Sequence, residues 1–162
     1  MAIYVTSDAH GHVRALDEAL SKISLTSDDT LYVLGDMIDR GPDPVGVIKL
    51  VRSLPNARVL KGNHEQIMLD AIIGQDPLDA ETWDINGGWT TRQQLNDMEF
   101  EAYEERVRWM ATLPLYAVAE TDERPYLLVH AGIQTRRRGR FCLNMGLIVP
   151  MVRGRRMPIA NC

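Results

Sequence analysis

The pattern that most constrains the fold of this chain is a unit that occurs three times: an apolar run, a polar loop and a helix. The apolar runs are typical of buried strands and lie at Ala2–Thr6, Leu31–Leu34 and Arg58–Leu60. Apolar residues at helical spacing predict the helices His12–Ile23, Val45–Leu54 and Glu65–Ile73. Because strands that alternate with helices form right-handed crossovers, this order predicts an α/β fold with a parallel sheet.

A helical insertion and a second, smaller group of strands are predicted to follow. Residues Gln75 to Leu113 are helical and polar in character, with an interruption at Asn86-Gly87-Gly88, and we expect them to cover the sheet. Two further strands are predicted at Leu115–Ala119 and Tyr126–Val129. The predicted architecture is therefore an α/β sandwich with β-α-β-α-β units, a mixed sheet, a helical insertion and an incomplete second sheet.

Polar clusters follow the predicted strands at the points where these strands end. They are Asp8-Ala9-His10, Gly35-Asp36 with Asp39-Arg40-Gly41, Gly62-Asn63-His64-Glu65 and, after the last strand, His130. Open parallel sheets place their ligand sites at the carboxyl ends of the strands. We therefore expect these loops to converge on one crevice.

The converging side chains offer carboxylate, imidazole and amide groups, which suit manganese, iron or zinc. The chain has two cysteines, Cys142 and Cys162, both near its end, so a Cys-based zinc site is not expected. Two ions about 3.5–4 Å apart require a bridging carboxylate. Asp36 follows the central one of the three predicted strands and is the natural bridge.

Four motifs together resemble those of the calcineurin-like metallophosphoesterase family. They are Asp8-x-His10-Gly11, Gly35-Asp36-x-x-Asp39-Arg40-Gly41, Gly62-Asn63-His64-Glu65 and His130-Ala131-Gly132. Within that family, the Asp-Arg-Gly and Asn-His-Glu forms resemble the bacterial and phage serine/threonine phosphoprotein phosphatases. The resemblance covers residues 1 to about 134 and includes the Asn86-Gly87-Gly88 element.

The resemblance implies two divalent metal ions, with Mn²⁺ expected first and iron or zinc as alternatives. Five residues would bind them: Asp8, His10 and Asp36 at the first ion, and Asp36, Asn63 and His130 at the second. A metal-bridging hydroxide would then attack phosphorus directly, without a covalent phosphoenzyme.

The remaining motif residues would act on the substrate. By the same resemblance, His64 is the general acid that protonates the leaving oxygen, and Asp39 orients its ring. Arg40 would bind two phosphate oxygens through its guanidinium fork. Lys61, where many relatives have arginine, would add charge without that bidentate geometry.

Each of these residues also has a simpler interpretation when it is taken alone. Asp36 and Asp39 are ordinary turn residues in a Gly/Pro-rich loop, and His130 is compatible with a core histidine. Glu65 is interpreted as a structural residue that forms hydrogen bonds within its loop. Three further side chains are interpreted as packing residues rather than site residues: Trp83, Trp89 and Trp109.

The balance of charge changes sharply after the last predicted loop. All 22 acidic residues and 11 of the 18 Lys and Arg lie in residues 1–134, a net charge of −11. Residues 135–162 carry seven arginines and no acid, a net charge of +7. We therefore predict a metallophosphoesterase domain over 1–134 that is incomplete at its C-terminus, and an unrelated basic tail over 135–162.

This predicted boundary also affects the second ion. Relatives continue with an acidic segment and a Gly-His motif that completes the site, whereas the histidines of this chain are His10, His12, His64 and His130. We expect a shifted reading frame or similar disruption near residue 134. The second ion would then keep three of its four protein ligands.

The predicted function is metal-dependent hydrolysis of phosphoserine, phosphothreonine or related monoesters. Two alternatives remain: hydrolysis of dinucleoside polyphosphates, which uses most of the same ligands, and a phosphatase-like remnant without turnover. The expected partner is a phosphorylated protein or small phosphoester. A membrane partner is not expected, nor a nucleic acid, because Arg136–Arg140 has no interleaved aromatic residues. With no basic segment before an apolar run at the N-terminus, we expect a cytoplasmic protein.

Overall fold

Three parallel strands form the sheet that carries the predicted site. The computed structural model describes residues 1–74 and 76–131 in full, and the strand backbones at 133–135, 141–143 and 147–150. The parallel strands are β1 (Ile3–Thr6), β2 (Thr30–Val33) and β3 (Ala57–Val59). Their order is β1-β2-β3. The predicted parallel sheet is therefore confirmed, with the strand that precedes Asp36 in its centre.

A helix follows each parallel strand, as the alternation predicts. The three helices are α1 (Val13–Ser21), α2 (Pro44–Ser53) and α3 (Asn63–Ile73). Helix α2 begins where Asp43 accepts a hydrogen bond from the Gly46 amide at 2.7 Å, with Pro44 in the first turn. Helix α3 begins two residues before its predicted start, because the Glu65 side chain accepts the Gly62 amide at 2.8 Å and closes the first turn.

The predicted insertion consists of three helices that pack on the same face of the sheet as α1–α3. They are α4 (Pro77–Ile85), α5 (Trp89–Asn96) and α6 (Phe100–Thr112). Their buried side chains Trp83, Leu95 and Met110 belong to one apolar cluster with Leu31 and Val33 of β2. The Asn86-Gly87-Gly88 interruption separates α4 from α5, and Gly87 has a positive φ of 91° there.

A second, antiparallel sheet covers the opposite face. It contains β4 (Tyr116–Ala119), β5 (Tyr126–Val129) and β8 (Leu147–Pro150), while β6 (Ile133–Thr135) pairs with β7 (Phe141–Leu143). Tyr32 and Leu34 from the β2 segment pack with Ala119 and Leu128 in a second apolar cluster. Alternate residues of β2 therefore face the helices and the second sheet, which is the predicted α/β architecture.

Part of the predicted basic tail falls outside the described residues. Arg136–Arg140 and 151–162 belong to this part, whereas the backbones of β7 and β8 are described. The boundary at residue 134 therefore stays a prediction. None of the helices in the described ranges has both the length and the apolar character needed to cross a membrane.

Candidate metal centre

The loops that follow β1 and β2 have left-handed backbone at five of the predicted site residues.

 

The residues with positive φ among the non-glycines are Asp8 (57°), His10 (40°), Asp36 (52°), Asp39 (69°) and Arg40 (65°). Backbone hydrogen bonds between the two loops hold this conformation, with the His10 amide donating to Asp36 O at 2.9 Å and the Gly11 amide to Met37 O at 2.9 Å. Left-handed backbone costs free energy in residues with a Cβ, and it concentrates at ligand sites where the surroundings enforce it.

Asp36 lies at the centre of the cluster, and its two carboxylate oxygens face different histidines. Oδ2 is 3.6 Å from His10 Nε2, whereas Oδ1 is 3.4 Å from His130 Nε2. Oδ1 also accepts the His64 amide at 3.0 Å, which fixes the carboxylate plane. The carboxylate therefore has the arrangement that a bridge between two cations requires.

Two groups of potential ligand atoms share Asp36. One group contains His10, Asp36 and His64, and the other contains Asp8, Asp36 and His130; within each group the ligand atoms lie within 4.8 Å of one another. Asp8 Oδ1 is also 3.9 Å from His10 Nε2, so this exposed carboxylate reaches both groups. The structure thus brings together the predicted carboxylate and imidazole donors.

Hydrogen bonds at Nδ1 direct two of the histidines into the cluster. His10 Nδ1 is 2.9 Å from Ile38 O, and His130 Nδ1 is 2.7 Å from Leu34 O. Since a carbonyl oxygen only accepts, each Nδ1 carries a proton and donates it, which leaves Nε2 as the free ligand atom. Backbone carbonyls commonly orient metal-binding histidines in this way.

A cation fits the place where acceptor atoms converge. His130 Nε2 is 2.9 Å from Asn63 Oδ1 and 3.4 Å from Asp36 Oδ1. These atoms are all acceptors when the imidazole is neutral, so a cation placed among them would be stabilised by all three. Ligands about 2.1 Å from one ion are separated by roughly 3–4 Å, which is the range of these distances. The donor set therefore fits divalent ions.

Charges within the cluster shift the pKa values of two of these groups. Burial raises the pKa of Asp36, but hydrogen bonds from His130 and the His64 amide, with the charges of both imidazoles, outweigh it and the net shift is downward. Burial lowers the pKa of His130, whereas the hydrogen bond and charge of Asp36 give a net upward shift. Both directions are those expected when a carboxylate and an imidazolium stabilise each other's charge.

His64 differs from the other two histidines because its Nδ1 atom contacts a carboxylate. Its Nδ1 lies 2.7 Å from Asp39 Oδ2, and both side chains are fully buried. The opposite ring atom, Nε2, is 2.9 Å from Arg40 Nη2, and Arg40 Nη1 is 3.1 Å from His10 Nε2. Asp39 therefore directs Nε2 of His64 toward the cluster. The Arg40 guanidinium bridges the Nε2 atoms of His64 and His10.

Glu65 connects the second and third loops. Its buried carboxylate accepts the amides of Asp36, Met37 and Gly62, each at 2.8 Å. Burial and the charge of Asp36 raise the pKa of Glu65, and the three amides act in the opposite direction without reversing the shift. These contacts confirm the structural interpretation of Glu65 and extend it to the neighbouring loop.

The described contacts of the Lys61 side chain lie outside the ligand cluster. The described contacts of Lys61 Nζ are Ala111 O at 3.2 Å and Gln66 Oε1 at 3.5 Å, so its phosphate-binding role stays a prediction.

Two side chains that were not predicted as site residues, Trp83 and Thr91, form hydrogen bonds with Asp39. The packing interpretation of Trp83 is therefore incomplete, and that of Trp89 is wrong because this side chain is 62% exposed. The only sequence signal near Trp83 and Thr91 is the Asn86-Gly87-Gly88 interruption between the two residues.

The fold and the ligand cluster together define an α/β protein with a group of candidate metal ligands at the carboxyl ends of parallel strands. More specifically, the family model described as calcineurin-like phosphoesterase matches residues 1–155. The chain belongs to the calcineurin-like phosphoesterase family, which is a family of metal-dependent hydrolases. The match extends beyond residue 134, the limit predicted from motifs and charge.

Curated relatives include symmetrical bis(5′-nucleosyl)-tetraphosphatases from two bacteria. The protein from Erwinia tasmaniensis is 31% identical over 136 residues, which cover 82% of this chain and 45% of the relative. The protein from Proteus mirabilis is 31% identical over 138 residues, with coverage of 82% and 45%. The chain therefore spans about 45% of the length of the curated relatives that it matches.

Three solved structures share the fold of this chain. A metallophosphoesterase from Sphaerobacter thermophilus is 28% identical, with a TM-score of 0.52 and coverage of 72% of this chain and 42% of that protein. A protein serine/threonine phosphatase from Saccharomyces cerevisiae is 20% identical, with a TM-score of 0.60 and coverage of 82% and 38%. A putative diadenosine tetraphosphatase is 23% identical, with a TM-score of 0.56 and coverage of 86% and 55%.

Proposed function

We propose that this chain hydrolyses phosphoric monoesters, with His64 as the general acid. The observation that carries the proposal is the buried Asp39–His64 pair. Its 2.7 Å contact lies beside the candidate metal ligands, with His64 Nε2 4.0 Å from Asp36 Oδ2. Serine and threonine alkoxides are poor leaving groups, so their departure needs a proton donor in this place. A phosphoserine or phosphothreonine side chain, or a small ester of similar chemistry, is the proposed substrate.

The proposed metal ligands are Asp8, His10, Asp36, Asn63 and His130. Their oxygen and nitrogen atoms suit Mn²⁺ first, with iron or zinc as alternatives. When bound, two such ions supply positive charge at the phosphoryl group and acidify a water molecule. Asp36 would hold both ions through its two oxygens, which face His10 and His130.

Arg40 and His64 would act on the phosphoester itself. The Arg40 guanidinium now contacts the Nε2 atoms of His10 and His64, and it is exposed on its outer side. A phosphate group that enters the site offers this cation two anionic oxygens, which bind it more strongly than neutral imidazoles do. This exchange frees His64 Nε2 to hold a proton toward the leaving oxygen, while Nδ1 stays bonded to Asp39.

Hydrolysis of dinucleoside polyphosphates is the second candidate. It is favoured by the relatives that are 31% identical, which are named as symmetrical bis(5′-nucleosyl)-tetraphosphatases. Glu65, which together with the Asp39-Arg40 pair favours the protein-phosphatase side in the sequence, accepts three backbone amides in the structure. The two candidates share the metal ligands and differ in how strongly the leaving group needs a proton.

Hydrolysis of phenyl phosphate, which releases a poor leaving group, tests in the presence of Mn²⁺ whether the chain is catalytic. The wild-type protein is compared with Asp36→Asn and His64→Ala at equal concentration. We expect His64→Ala to lower kcat by about 10²–10⁴ because it removes the proton donor. Equal background rates in all three proteins would rule out catalysis and leave the third alternative, a phosphatase-like fold without turnover.

A substrate pair then separates the two catalytic candidates. We measure kcat/KM for a phosphoserine peptide and for a bis(5′-nucleosyl) tetraphosphate with the same preparation. The proposal expects the peptide to be the better substrate and His64→Ala to affect the peptide more. A higher kcat/KM for the tetraphosphate, with little dependence on His64, would favour the second candidate.

A further inference from the structure

The carboxylate of Asp39 is held by two side chains of the helical insertion in addition to His64. The Trp83 indole Nε1–H is 3.0 Å from Oδ1 and 3.2 Å from Oδ2, and the Thr91 hydroxyl is 2.7 Å from Oδ1. The exposed fraction is 0% for Asp39, His64 and Thr91, and 2% for Trp83. This group of four residues, which we name the acid half of the site, is therefore shielded from water.

We propose that Trp83 and Thr91 are positioning residues for the general acid His64, which they orient through Asp39. This inference rests on the proposed function, because it assigns a role in the same proton transfer. The described hydrogen bonds of both side chains are to Asp39 and not to a proposed metal ligand. Their effect on the reaction would pass through one carboxylate.

Hydrogen-bond accounting supports the role of Thr91. Its Oγ1 accepts the Asp39 amide at 2.9 Å and donates its single proton to Asp39 Oδ1 at 2.7 Å. Thr91 thus binds the backbone and the side chain of the same residue. Rotation of the carboxylate would break its hydrogen bond with Thr91, so Oδ2 remains directed at His64 Nδ1.

Trp83 contributes a donor that carries no charge. An indole N–H can donate but cannot accept, and it does not neutralise the carboxylate that it contacts. The negative charge of Asp39 therefore remains available to His64, whereas an arginine in this place would form an ion pair with it. Because a buried carboxylate needs its hydrogen bonds to be satisfied, the two neutral donors also make the burial of Asp39 tolerable.

The insertion fixes Trp83 in turn. The Gly88 amide donates to Trp83 O at 2.9 Å, and a Cβ on Gly88 would lie 2.3 Å from the indole ring. The Arg92 guanidinium also lies over the ring, at 4.8 Å from its centroid. The next residue back, Gly87, accepts the Arg40 amide at 3.0 Å. One short turn thus supports both the acid half and the proposed phosphate ligand.

A leaving-group comparison tests this role without relying on a general loss of activity. Phenyl phosphate releases a poor leaving group that needs a proton, whereas 2,4-dinitrophenyl phosphate releases a good one that does not. For Trp83→Phe and Thr91→Val, we expect kcat on phenyl phosphate to fall about 10–100-fold, which is a part of the 10²–10⁴-fold contribution of a general acid. On 2,4-dinitrophenyl phosphate we expect a change of less than about threefold.

Matched substitutions exclude a purely structural effect. Trp89→Phe makes the same chemical change at an exposed tryptophan, and Thr90→Val makes it at a neighbouring threonine whose hydroxyl has no hydrogen-bond partner among the described residues. Both variants should keep the wild-type ratio of kcat on phenyl phosphate to kcat on 2,4-dinitrophenyl phosphate. Thr91→Ser retains the hydroxyl and should restore the ratio that Thr91→Val loses. Equal losses on both substrates in Trp83→Phe and Thr91→Val would overturn the proposal.

A measurement on the metal-free protein is independent of turnover. The proton on His64 Nδ1 lies in a buried bond to a carboxylate and should give a downfield ¹H NMR signal that Asp39→Asn removes. Thr91→Val and Trp83→Phe should shift or broaden this signal, whereas Thr90→Val should not. An unchanged signal in both variants would count against the proposal. If the wild-type protein hydrolyses neither ester, the proposed function fails, and this signal alone decides the positioning role.

Discussion

The metal ligands and the acid half of the site are built in different ways, although they meet at His64. The proposed ligands Asp8 and Asn63 are exposed, and the imidazoles of His10 and His130 are held by backbone carbonyls. The acid half is buried, and its histidine is held by a carboxylate. We refer to the five ligands as the metal half.

This difference matches what the two kinds of chemistry need. An ion must enter and leave, so the two exposed ligands on sheet-end loops, Asp8 and Asn63, suit the metal half, whose other three ligands are buried. A proton donor gains from a dry environment, in which the contact between Asp39 and His64 is electrostatically stronger than in water. The metal half is built by loops of the parallel sheet, whereas the acid half depends on helices α4 and α5. The two halves should therefore be separable by substitution.

The largest expected effect comes from a pair of substitutions that removes one carboxylate charge from each half. Asp36→Asn should abolish Mn²⁺ retention and turnover, because it removes the carboxylate shared by both ligand groups. Asp39→Asn should retain Mn²⁺ but lower kcat about 10²–10⁴-fold. The metal content per chain is measured by plasma mass spectrometry beside kcat. Loss of Mn²⁺ in Asp39→Asn would contradict the separation of the two halves.

Glu65→Gln tests the contact between the loops of the metal half. The amide group replaces one carboxylate oxygen, so at least one of the three bonded backbone amides loses its acceptor. We expect the free energy of unfolding to fall by about 1–3 kcal/mol in urea with a chelator present. Mn²⁺ affinity should weaken about 10–100-fold, as is common when the support of a metal ligand is removed. Glu18→Gln, on an exposed face of α1, is the control and should change neither quantity.

Two glycine substitutions place a methyl group against each half in turn. A Cβ on Gly62 would lie 2.2 Å from Asp36 Oδ1, and a Cβ on Gly88 would lie 2.3 Å from the Trp83 ring. Both glycines have negative φ, so alanine is penalised there by space alone. Each variant should lose about 1–3 kcal/mol of stability, measured by urea unfolding.

Each of the two glycine variants should impair a different function of the site. Gly62→Ala should weaken Mn²⁺ binding and leave the leaving-group dependence of kcat unchanged. Gly88→Ala should keep Mn²⁺ and lower kcat on phenyl phosphate more than on 2,4-dinitrophenyl phosphate. The same loss of Mn²⁺ in both variants would show that the two halves form one cooperative unit.

Much of the fold and of the metal half can be predicted from the sequence because the signals are local. The three parallel strands and α1–α3 end within two residues of their predicted bounds. The predicted ligands follow strands directly, and strand ends of one parallel sheet must converge. The pattern therefore indicates that Asp8, Asp36 and Asn63 are neighbours before any contact is known.

The acid half is less predictable because its contacts cross long stretches of chain. Trp83 and Thr91 lie 44 and 52 residues from Asp39, and no periodic pattern links them. A tryptophan on a helix also has a sufficient explanation as a packing residue, which conceals the role of its N–H. Such a contact can be recognised only in the folded structure, in which the helical insertion packs against the loop that follows β2. The direction of the Lys61 side chain toward Ala111 is likewise set by tertiary structure.

The smallest expected effect is at Asp29, which lies outside both halves and should leave their chemistry unchanged. Its carboxylate accepts the Ala2 amide at 2.5 Å, the Thr26 amide at 3.0 Å and the Thr26 hydroxyl at 2.8 Å. The Ala2 amide, followed by the two Thr26 donors, lowers the pKa of Asp29 below its usual 3.8. The stabilisation is therefore fully present above the unfolded pKa of about 3.9 and is lost as pH falls through the lower folded value.

Asp29→Asn should accordingly lower Tm above about pH 5, and the difference from the wild-type protein should shrink below about pH 3.9. Asp28→Asn removes the same charge from the exposed neighbouring residue and serves as the matched control. Mn²⁺ content and kcat per folded molecule should equal those of the wild-type protein, because the contacts of Asp29 hold β1 at its start rather than at its ligand-bearing end. A loss of Mn²⁺ in Asp29→Asn would show that the metal half depends on the whole strand and not on its loops alone.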